Sequence, residues 1–235
     1  MKISVCLATY NGEAYLSQQL TSILNQLGKE DEVIISDDSS SDNTLKIIKD
    51  TNDSRIKLFK DQKFQSPIRN FENALSQSSG EIIFLADQDD IWESNKIEII
   101  LKSLKDCDIV VSDCFIIDSD DNIINKSFFE VNGSRPGLIK NIIKNSYLGC
   151  TLGFRRKVLK KAMPFPPQIP MHDWWLGLVG EVFYKTKFIN QKLVRYRRHD
   201  HNASSTSGKS KNTLFIKLLF RIKLIWEILK LCWRK

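Results

Sequence analysis

The first 113 residues alternate short apolar runs, rich in β-branched side chains, with segments whose apolar residues recur at helical spacing. The predicted strands lie at residues 2–8, 32–36, 55–59, 81–86 and 108–113. The predicted helices lie within 13–27, after a capping Asp42, over 68–78 with a stop at Gly80, and over 93–104. Apolar strands that alternate with helices are typical of a mainly parallel sheet covered on both faces. We therefore predict an α/β fold.

Beyond about residue 115 the alternation breaks down. Residues 118–137 are polar and predict an irregular or hairpin segment. The stretch PFPPQIP at 164–170 must be an extended loop, because proline breaks both helices and inner strands. Residues 201–213 are rich in Ser, Asn and Gly and predict a flexible connector. The remaining predicted elements are helices over 136–146 and 154–161, a helix from near Asp173 and a strand over 188–195.

The positive charge of the chain is concentrated at one end. The net charge is +7, but eight of the 35 basic residues and one of the 28 acidic residues lie in 209–235. Residues 1–208 are therefore balanced, with 27 residues of each sign, which gives no support to nucleic-acid binding by the body. Five cysteines without CxxC spacing indicate reduced thiols rather than a zinc site. The quickly polar N-terminus does not resemble a secretory signal, and we expect a cytoplasmic protein.

Acidic side chains cluster where the predicted strands end. Asp37 and Asp38 follow the second strand, and Asp87, Asp89 and Asp90 follow the fourth, in the sequence FLADQDDIW. In a parallel sheet these ends meet at the edge where ligands bind. Such clustered carboxylates repel one another unless a cation joins them, and hard oxygen ligands favour Mg²⁺ or Mn²⁺ bound to a phosphate. The alternative for Asp90 is a helix cap before residue 93.

Six motifs in order resemble the family 2 glycosyltransferases of the GT-A fold. They are SVCLATYNGEAYLSQQLTSILNQ, SDDSSSDNT, FLADQDDIW, GCTLGFRR, MHDWWL and YRRHDHN, within residues 1–205. The resemblance implies a Rossmann-like sheet in a transferase domain over 1–205, followed by a connector and a basic amphipathic helix over 206–235. HDWWL followed by YRxH is similar to the rhamnosyltransferase-like branch. The family resemblance as a whole implies an inverting transferase that uses a UDP- or dTDP-sugar and Mn²⁺ or Mg²⁺.

The resemblance also implies roles for individual residues. The nucleotide-binding positions would be Thr9, Tyr10, Asn11, Asp37, Asp38, Asp87 and, as a weaker candidate, Arg69. Asp38 would face a uracil or thymine base. The metal ligands would be Asp89 of the DxD element first, with Asp90 and His199. Ser39 departs from the glycine that many relatives carry there, which leaves the shape of that turn open.

Asp173 matches the general base of the family. An acceptor hydroxyl is a poor nucleophile, so a carboxylate must take its proton, and a single base opposite the leaving group predicts inversion. His172, Trp174 and Trp175 are the candidate acceptor-binding residues. From the residues alone, Asp173 is equally an N-cap of the following helix, and the tryptophans equally core residues.

The C-terminal segment TLFIKLLFRIKLIWEILKLCWRK alternates apolar triplets with single basic residues. Its apolar runs are too short to span a bilayer. A hydrophobic, basic helix that contains tryptophan is nevertheless typical of segments that bind an anionic membrane surface. The alternative is packing on the body or on a second subunit. We expect a peripheral membrane enzyme that acts on a lipid-linked glycan in bacterial surface polysaccharide or capsule synthesis. Alternatives are a sugar nucleotidyltransferase and a non-catalytic glycan- or membrane-binding module.

Overall fold

A computed structural model describes residues 1–199 and 213–233, and the predicted connector over 201–212 lies outside them. The strands are β1 Ile3–Thr9, β2 Glu32–Asp37, β3 Ile56–Phe59, β4 Ile82–Asp87, β5 Ile91–Trp92, β6 Ile109–Ile117, β7 Ile123–Asn125, β8 Leu152–Arg155 and β9 Thr186–Arg197. The helices are α1 Leu16–Leu24, α2 Thr44–Thr51, α3 Pro67–Gln77, α4 Lys96–Ser103, α5 Phe128–Asn132, α6 Leu138–Ile143, α7 Arg156–Ala162, α8 His172–Phe183 and α9 Leu214–Trp233. A 3₁₀ turn, Gly149–Thr151, precedes β8.

One curled sheet runs in the order β3-β2-β1-β4-β8-β6-β9-β5, and β7 pairs with β6. The pairs β3–β2, β2–β1, β1–β4 and β6–β9 are parallel. The register pairs Thr9 with Asp37 and Ala8 with Asp87, so the carboxyl ends of β1, β2 and β4 lie side by side. The predicted α/β class with helices flanking a central sheet is confirmed.

The central strands β1, β2, β4 and β6 are buried on both faces, which explains why they are apolar without alternation. Val5 and Leu7 of β1 pack in the layer that contains α1, whereas Cys6 between them packs with α3 and α8 on the other face. The N-cap of α2 is Asn43 rather than the predicted Asp42, although Asp42 Oδ1 accepts from the Thr44 amide at 3.0 Å. All five cysteines are free thiols.

The second half differs from the prediction in one important respect. The segment predicted as a helix from residue 154 begins with the strand β8, which inserts antiparallel between β4 and β6. Gly153 allows this insertion, because a Cβ there would meet Ile100 at 2.4 Å. The polar segment after β6 includes a short antiparallel strand, β7, in agreement with the hairpin alternative.

Gly80 does not stop α3, which ends at Gln77 with Ser78 as its C-cap. A Cβ at Gly80 would lie 2.6 Å from the Ser4 amide nitrogen, so this glycine is required by the close approach of β1.

The C-terminal helix α9 packs on the body through Leu224, Ile228 and Leu231, which are buried. Arg221 joins it to α6, since its Nε donates to the Ile143 carbonyl at 3.1 Å. Most other apolar side chains of α9 are exposed, and the exposed fraction of the residue is 60% for Trp226 and 83% for Trp233. In the described part of the chain, no helix is long and apolar enough to cross a membrane.

Glu32, the first residue of β2, allows a test of what stabilises the sheet. Its buried carboxylate accepts hydrogen bonds from Ser4 Oγ at 2.6 Å, the Ser79 amide at 2.6 Å and Lys57 Nζ at 2.8 Å. Burial alone would raise the pKa of Glu32, but these bonds and those from Lys2 outweigh it and hold the pKa well below the ordinary value. The ionised carboxylate thus joins β2 to β1 and β3.

We expect Glu32→Gln to lower the free energy of unfolding by about 2–4 kcal/mol near neutral pH, because charged acceptors are lost from buried donors. The native pKa of Glu32 is depressed, so its contribution is complete above the unfolded pKa of about 4.3 and declines as the pH falls below it. The difference from wild type in urea unfolding should therefore shrink below that pH. A difference that is constant between pH 7 and 3 would contradict this assignment.

Candidate active site

A cavity of about 470 Å³ opens at the carboxyl ends of β1, β2 and β4. The predicted residues that line it are Thr9, Tyr10, Asp38, Asp87 and Asp89. Pro67 and Phe71 of α3 form an apolar wall. The cavity therefore has acidic and hydrogen-bonding groups at the sheet edge and an apolar surface opposite, as a nucleotide requires.

Hydrogen bonds of Asp38 and Ser39 join the turn after β2 to the loop that precedes α3. The Asp38 carboxylate accepts from the amides of Phe64 at 2.6 Å and Ser66 at 3.2 Å, and so ties the loop before α3 to the cavity. Ser39 adopts a left-handed conformation with φ 63°, which explains why glycine suits this position. Its hydroxyl donates to the Gln62 carbonyl, so the serine retains the turn.

Three predicted nucleotide-binding residues do not line the cavity. The buried Asp37 carboxylate accepts from Thr9 Oγ1 at 2.7 Å and from the Ser40 amide at 2.9 Å. Asn11 Oδ1 accepts from the Ser41 amide at 2.8 Å. Arg69 pairs with Glu72 on the surface of α3. Asp37 and Asn11 therefore shape the turns around the cavity, and Arg69 points to a neighbour on its own helix.

A second, smaller cavity of about 70 Å³ adjoins the first. Both cavities are lined by Pro67, Phe71, Asp87 and Asp89, so they form one continuous cleft. His172 and Asp173 lie on the far side of the smaller cavity, at the beginning of α8. A ligand that extends from the large cavity past the DxD aspartates would thus reach Asp173.

Asp173 is buried within the first turn of α8, whose N-cap is Met171, so the N-cap alternative for Asp173 is wrong. Its Oδ2 accepts from the Gly149 amide at 3.0 Å and its Oδ1 from the Trp174 amide at 2.6 Å. Burial raises the pKa of Asp173 to about 6, against the opposing effect of these two bonds. A carboxylate with this pKa is ionised at neutral pH and is a stronger base than an ordinary aspartate.

Asp89, which lines the cleft, is in contact with His199, which lines neither cavity. Asp89 Oδ2 lies 2.8 Å from His199 Nε2, and the His199 ring lies against Tyr15 with 5.2 Å between ring centroids. The Asp89 carboxylate is a hard oxygen ligand of the kind that Mn²⁺ and Mg²⁺ prefer, and the His199 imidazole nitrogen beside it would be a second ligand for Mn²⁺ rather than for Mg²⁺. The antiparallel β5–β9 pair and parallel β6–β9 pair bring His199 to this place.

Asp90 occupies a different environment from Asp89. It is fully buried and lines neither cavity, and its Oδ1 accepts from the Arg197 amide at 2.9 Å. It therefore does not cap α4, whose N-cap is Asn95. Asp90, Asp87 and Cys150 offer ligand atoms within 4.8 Å of one another.

This buried cluster fits a divalent cation poorly. Burial raises the pKa values of Asp90 and of the Cys150 thiol, and the protonated thiol is not a ligand for hard cations. Lys96 also lies in the cluster, with its Nζ 2.6 Å from the Cys150 carbonyl and above the Trp92 ring. The metal-binding prediction for Asp90 therefore lacks the support that the geometry gives to Asp89 and His199.

The two tryptophans differ in their surroundings. Trp175 is buried in the core, where its Nε1 donates to the Ala162 carbonyl at 2.9 Å, so an acceptor-binding role does not fit it. Trp174 is half-buried, and its Nε1 donates to the Asn141 carbonyl at 2.7 Å. Neither residue lines the cleft, whereas His172 does.

Several contributing residues were not predicted. Gln88 Oε1 accepts from the Tyr10 amide at 2.8 Å and its Nε2 donates to the Tyr10 carbonyl at 3.0 Å, which joins the DxD segment to the first turn. Asn70 donates to the Thr9 carbonyl, and its buried Oδ1 has no partner among the described residues. Arg197 is buried, and its Nε donates to the Asp89 carbonyl at 2.8 Å. The motif spacing contained no signal for these contacts.

Comparisons with known proteins agree with this geometry. Residues 4–163 match the family described as Glycosyl transferase family 2. A GalNAc(5)-diNAcBac-PP-undecaprenol beta-1,3-glucosyltransferase of Campylobacter jejuni is 29% identical over 92% of this chain and 71% of its own length. The dTDP-rhamnosyl transferase RfbG of Shigella flexneri is 28% identical over 83% of this chain and 72% of its own length.

Solved structures share the fold. The structure of S. aureus TarS 1–349 in complex with UDP-GlcNAc has a TM-score of 0.73 and 20% identity, over 96% of this chain and 66% of that one. The mannosyltransferase PcManGT of Pyrobaculum calidifontis, in complex with GDP-Man and Mn²⁺, has a TM-score of 0.60 and 19% identity, over 80% and 54%. The chain thus spans about two thirds or less of these structures. With the GT-A architecture and the family match over 160 residues, the chain belongs to glycosyltransferase family 2.

Proposed function

We propose that this transferase moves a sugar from a UDP- or dTDP-sugar to a lipid-linked glycan, with inversion at the anomeric carbon and with Mn²⁺ or Mg²⁺. The observation that carries the proposal is the shared cleft. Asp89 and Asp173 border the same small cavity, which continues into a cavity large enough for a nucleotide. The leaving nucleoside diphosphate would therefore lie near Asp89, and the general base Asp173 would lie on the opposite side of the anomeric carbon.

In this proposal the nucleotide occupies the large cavity. Asp38 faces the base, as its position on the cavity wall supports, and the Thr9–Tyr10 turn lies along the nucleoside. Asp87 is close to the ribose and diphosphate. Asp37 and Asn11 act through the turns that they hold, because neither lines the cavity.

Asp89 and His199 would hold the divalent ion. Bound there, the ion would offset the charge that develops on the departing nucleoside diphosphate. The chain itself supplies the rest of the chemistry. Arg197 fixes the Asp89 backbone, and Asp173 takes the proton of the acceptor hydroxyl as that oxygen attacks the anomeric carbon. One attack from the face opposite the leaving group inverts the configuration of that carbon.

The proposed acceptor and pathway are supported by what the relatives do. One of the relatives described above is a beta-1,3-glucosyltransferase of an undecaprenol-linked glycan, and another is a dTDP-rhamnosyl transferase. We propose the same class of acceptor here, in the synthesis of bacterial surface polysaccharide such as a capsule. UDP-hexoses and dTDP-rhamnose are the donors to test first. A nucleotidyltransferase would need a Gly-rich basic loop after β1, and ATYNGEAYL is not one.

The direct test is hydrolysis and transfer with a panel of UDP- and dTDP-sugars, with Mn²⁺, Mg²⁺ or EDTA, and undecaprenyl-diphosphate-linked acceptors. We expect metal-dependent turnover of at least one donor. No turnover with any donor, together with unchanged nucleotide binding in Asp89→Ala, would favour the non-catalytic glycan- or membrane-binding alternative.

The proposed base predicts a specific pH dependence. Asp173→Asn should lower kcat by about 100- to 10,000-fold, the usual contribution of a general base, while UDP binding is retained. Burial raises the pKa of Asp173 to about 6 in the wild type, and the base must be ionised. The value of kcat/KM should therefore fall about tenfold per pH unit below pH 6. A profile that is flat down to pH 4 would exclude Asp173 as the base.

The proposed metal ligands are tested by binding rather than by turnover. Asp89→Asn and His199→Ala should each weaken Mn²⁺-dependent UDP binding by about 10- to 100-fold in calorimetry, with little effect on metal-free binding. Asp106→Asn, at an exposed carboxylate before the start of β6 and outside the cleft, is the matched control and should bind as the wild type does. Equal loss with and without Mn²⁺ would indicate a structural role instead.

We also propose that α9 binds an anionic membrane surface on the cytoplasmic side of the plasma membrane. Its exposed apolar side chains include Phe215, Leu218 and Trp226, and α6 adds the exposed Ile139 and Ile143 beside it. Basic residues of α9, among them Lys217 and Lys223, provide the charge for anionic lipids. This surface would bring the cleft to an acceptor that is anchored in the bilayer.

The double variant Phe215→Ser/Trp226→Ser should lower partitioning onto vesicles containing phosphatidylglycerol at least tenfold, because two apolar side chains no longer insert. The matched control, Ile123→Ser/Ile124→Ser, removes two similarly exposed side chains from β7 and should bind as the wild type does. Binding should also weaken as salt rises. Unchanged partitioning of the α9 variant would refute the membrane role.

A further inference from the structure

The imidazole of His172 is only 3% exposed, and neither of its ring nitrogens has a hydrogen-bond partner among the described residues. Buried polar groups in proteins are nearly always paired, because an unpaired one has lost its hydration without replacement. His172 also lines the small cavity beside Asp173. The missing partner is therefore expected to come from a ligand in that cavity.

The surroundings of His172 hold the ring in place and leave one side open. The Phe71 ring stacks on it, with 4.1 Å between the centroids and 25° between the planes. Gly149 lies on the other side, where a Cβ would come within 3.2 Å of His172 Nε2. The glycine thus keeps the space beside this nitrogen free, and its amide orients Asp173 at the same time.

The protonation state of His172 restricts the chemistry of the ligand. Burial lowers its pKa to about 3, so the ring is neutral at physiological pH and offers one N–H donor and one acceptor nitrogen. A phosphate or carboxylate would satisfy only the donor and would also meet Asp87, Asp89 and Asp173. An ammonium group would satisfy only the acceptor. A hydroxyl-bearing ligand satisfies both nitrogens.

The volume and walls of the cavity agree with a sugar. About 70 Å³ holds a few hydroxyl-sized groups, since a water needs roughly 10–15 Å³, but it does not hold a nucleotide. Phe71 and Leu148 supply apolar surface for the C–H groups of a pyranose. The cavity joins the larger one at Asp87 and Asp89, so the sugar of a donor whose nucleotide fills the large cavity would enter it.

We infer that His172 binds hydroxyl groups of the transferred sugar and so contributes to the choice of donor. The inference rests on the proposed transferase function and adds a donor-sugar contact to the acceptor-binding role expected from the sequence. His172 does not exchange a proton in this role. It positions the sugar between Asp89 and Asp173.

The test compares nucleotides with and without the sugar. Calorimetry in Mn²⁺ gives the affinities of UDP, UDP-glucose, dTDP and dTDP-rhamnose for the wild type, His172→Phe and His172→Gln. Phenylalanine keeps the aromatic stack on Phe71 but removes both nitrogens. We expect His172→Phe to bind UDP and dTDP as the wild type does and to lose about tenfold in affinity for the preferred sugar nucleotide. His172→Gln, with a donor and an acceptor, should recover part of that loss.

Kinetics separate this role from a structural one and from acceptor binding. Acceptor-free donor hydrolysis by His172→Phe should show a higher KM for the donor and a pH profile of unchanged shape. Tyr184→Phe removes a hydrogen bond at the far end of the same helix and is the folding control. A loss seen only in the KM of the acceptor, or equal losses for UDP and UDP-sugar, would overturn the inference. Absence of nucleotide binding by the wild type would instead reject the proposed function itself.

Discussion

Four carboxylates, those of Asp87, Asp89, Asp90 and Asp173, converge at one edge of the sheet, and the fold must offset their mutual repulsion. Burial and, after it, the charges of neighbouring aspartates raise the pKa values of Asp87 and Asp90, and burial alone raises that of Asp173, so the cluster has an electrostatic cost before any ligand binds. The chain offsets part of it with backbone amides and with the buried Lys96. On the open side of the cluster, the Asp89 carboxylate pairs with His199, and we propose that a cation binds there. The site therefore has a buried half, which contains Asp90 and Lys96, and an open half, which contains Asp89.

The two halves are joined by residues that are distant in sequence. Arg197 donates to the Asp89 carbonyl and, through its backbone amide, to Asp90, and it also contacts Gln18 on α1. The parallel pairing of β6 with β9 delivers this arginine and His199 to the cleft. The inserted strand β8 has a similar effect, because the turn before it presents the Gly149 amide to Asp173. The parallel β6–β9 pair and the antiparallel strand β8 thus bring the residues around Asp89 and Asp173 together.

Local pattern was sufficient to predict the first half of the fold and the acidic edge, because buried parallel strands are apolar throughout and their ends carry the ligands. It could not predict β8, since LGFR is too short to separate from the helix that follows. For the site, the motifs pointed to Asp38, Asp89 and Asp173, which line the cleft, and to His199, which contacts Asp89. They could not separate Asp90 from Asp89, because adjacent residues point to different environments only after folding. The orphaned nitrogens of His172 are likewise a property of packing and have no counterpart in the sequence.

We propose that a divalent ion, held by Asp89 and His199, offsets the negative charge of the carboxylates on the open side of the cluster. Lys96 offsets that charge on the buried side. Anomalous scattering from crystals grown with Mn²⁺ and UDP measures the ion's position directly. The account predicts one manganese peak in contact with the Asp89 carboxylate and the His199 imidazole, bridged to the diphosphate. A peak among Asp87, Asp90 and Cys150 would contradict it, as would nucleotide bound in the large cavity with no manganese beside it.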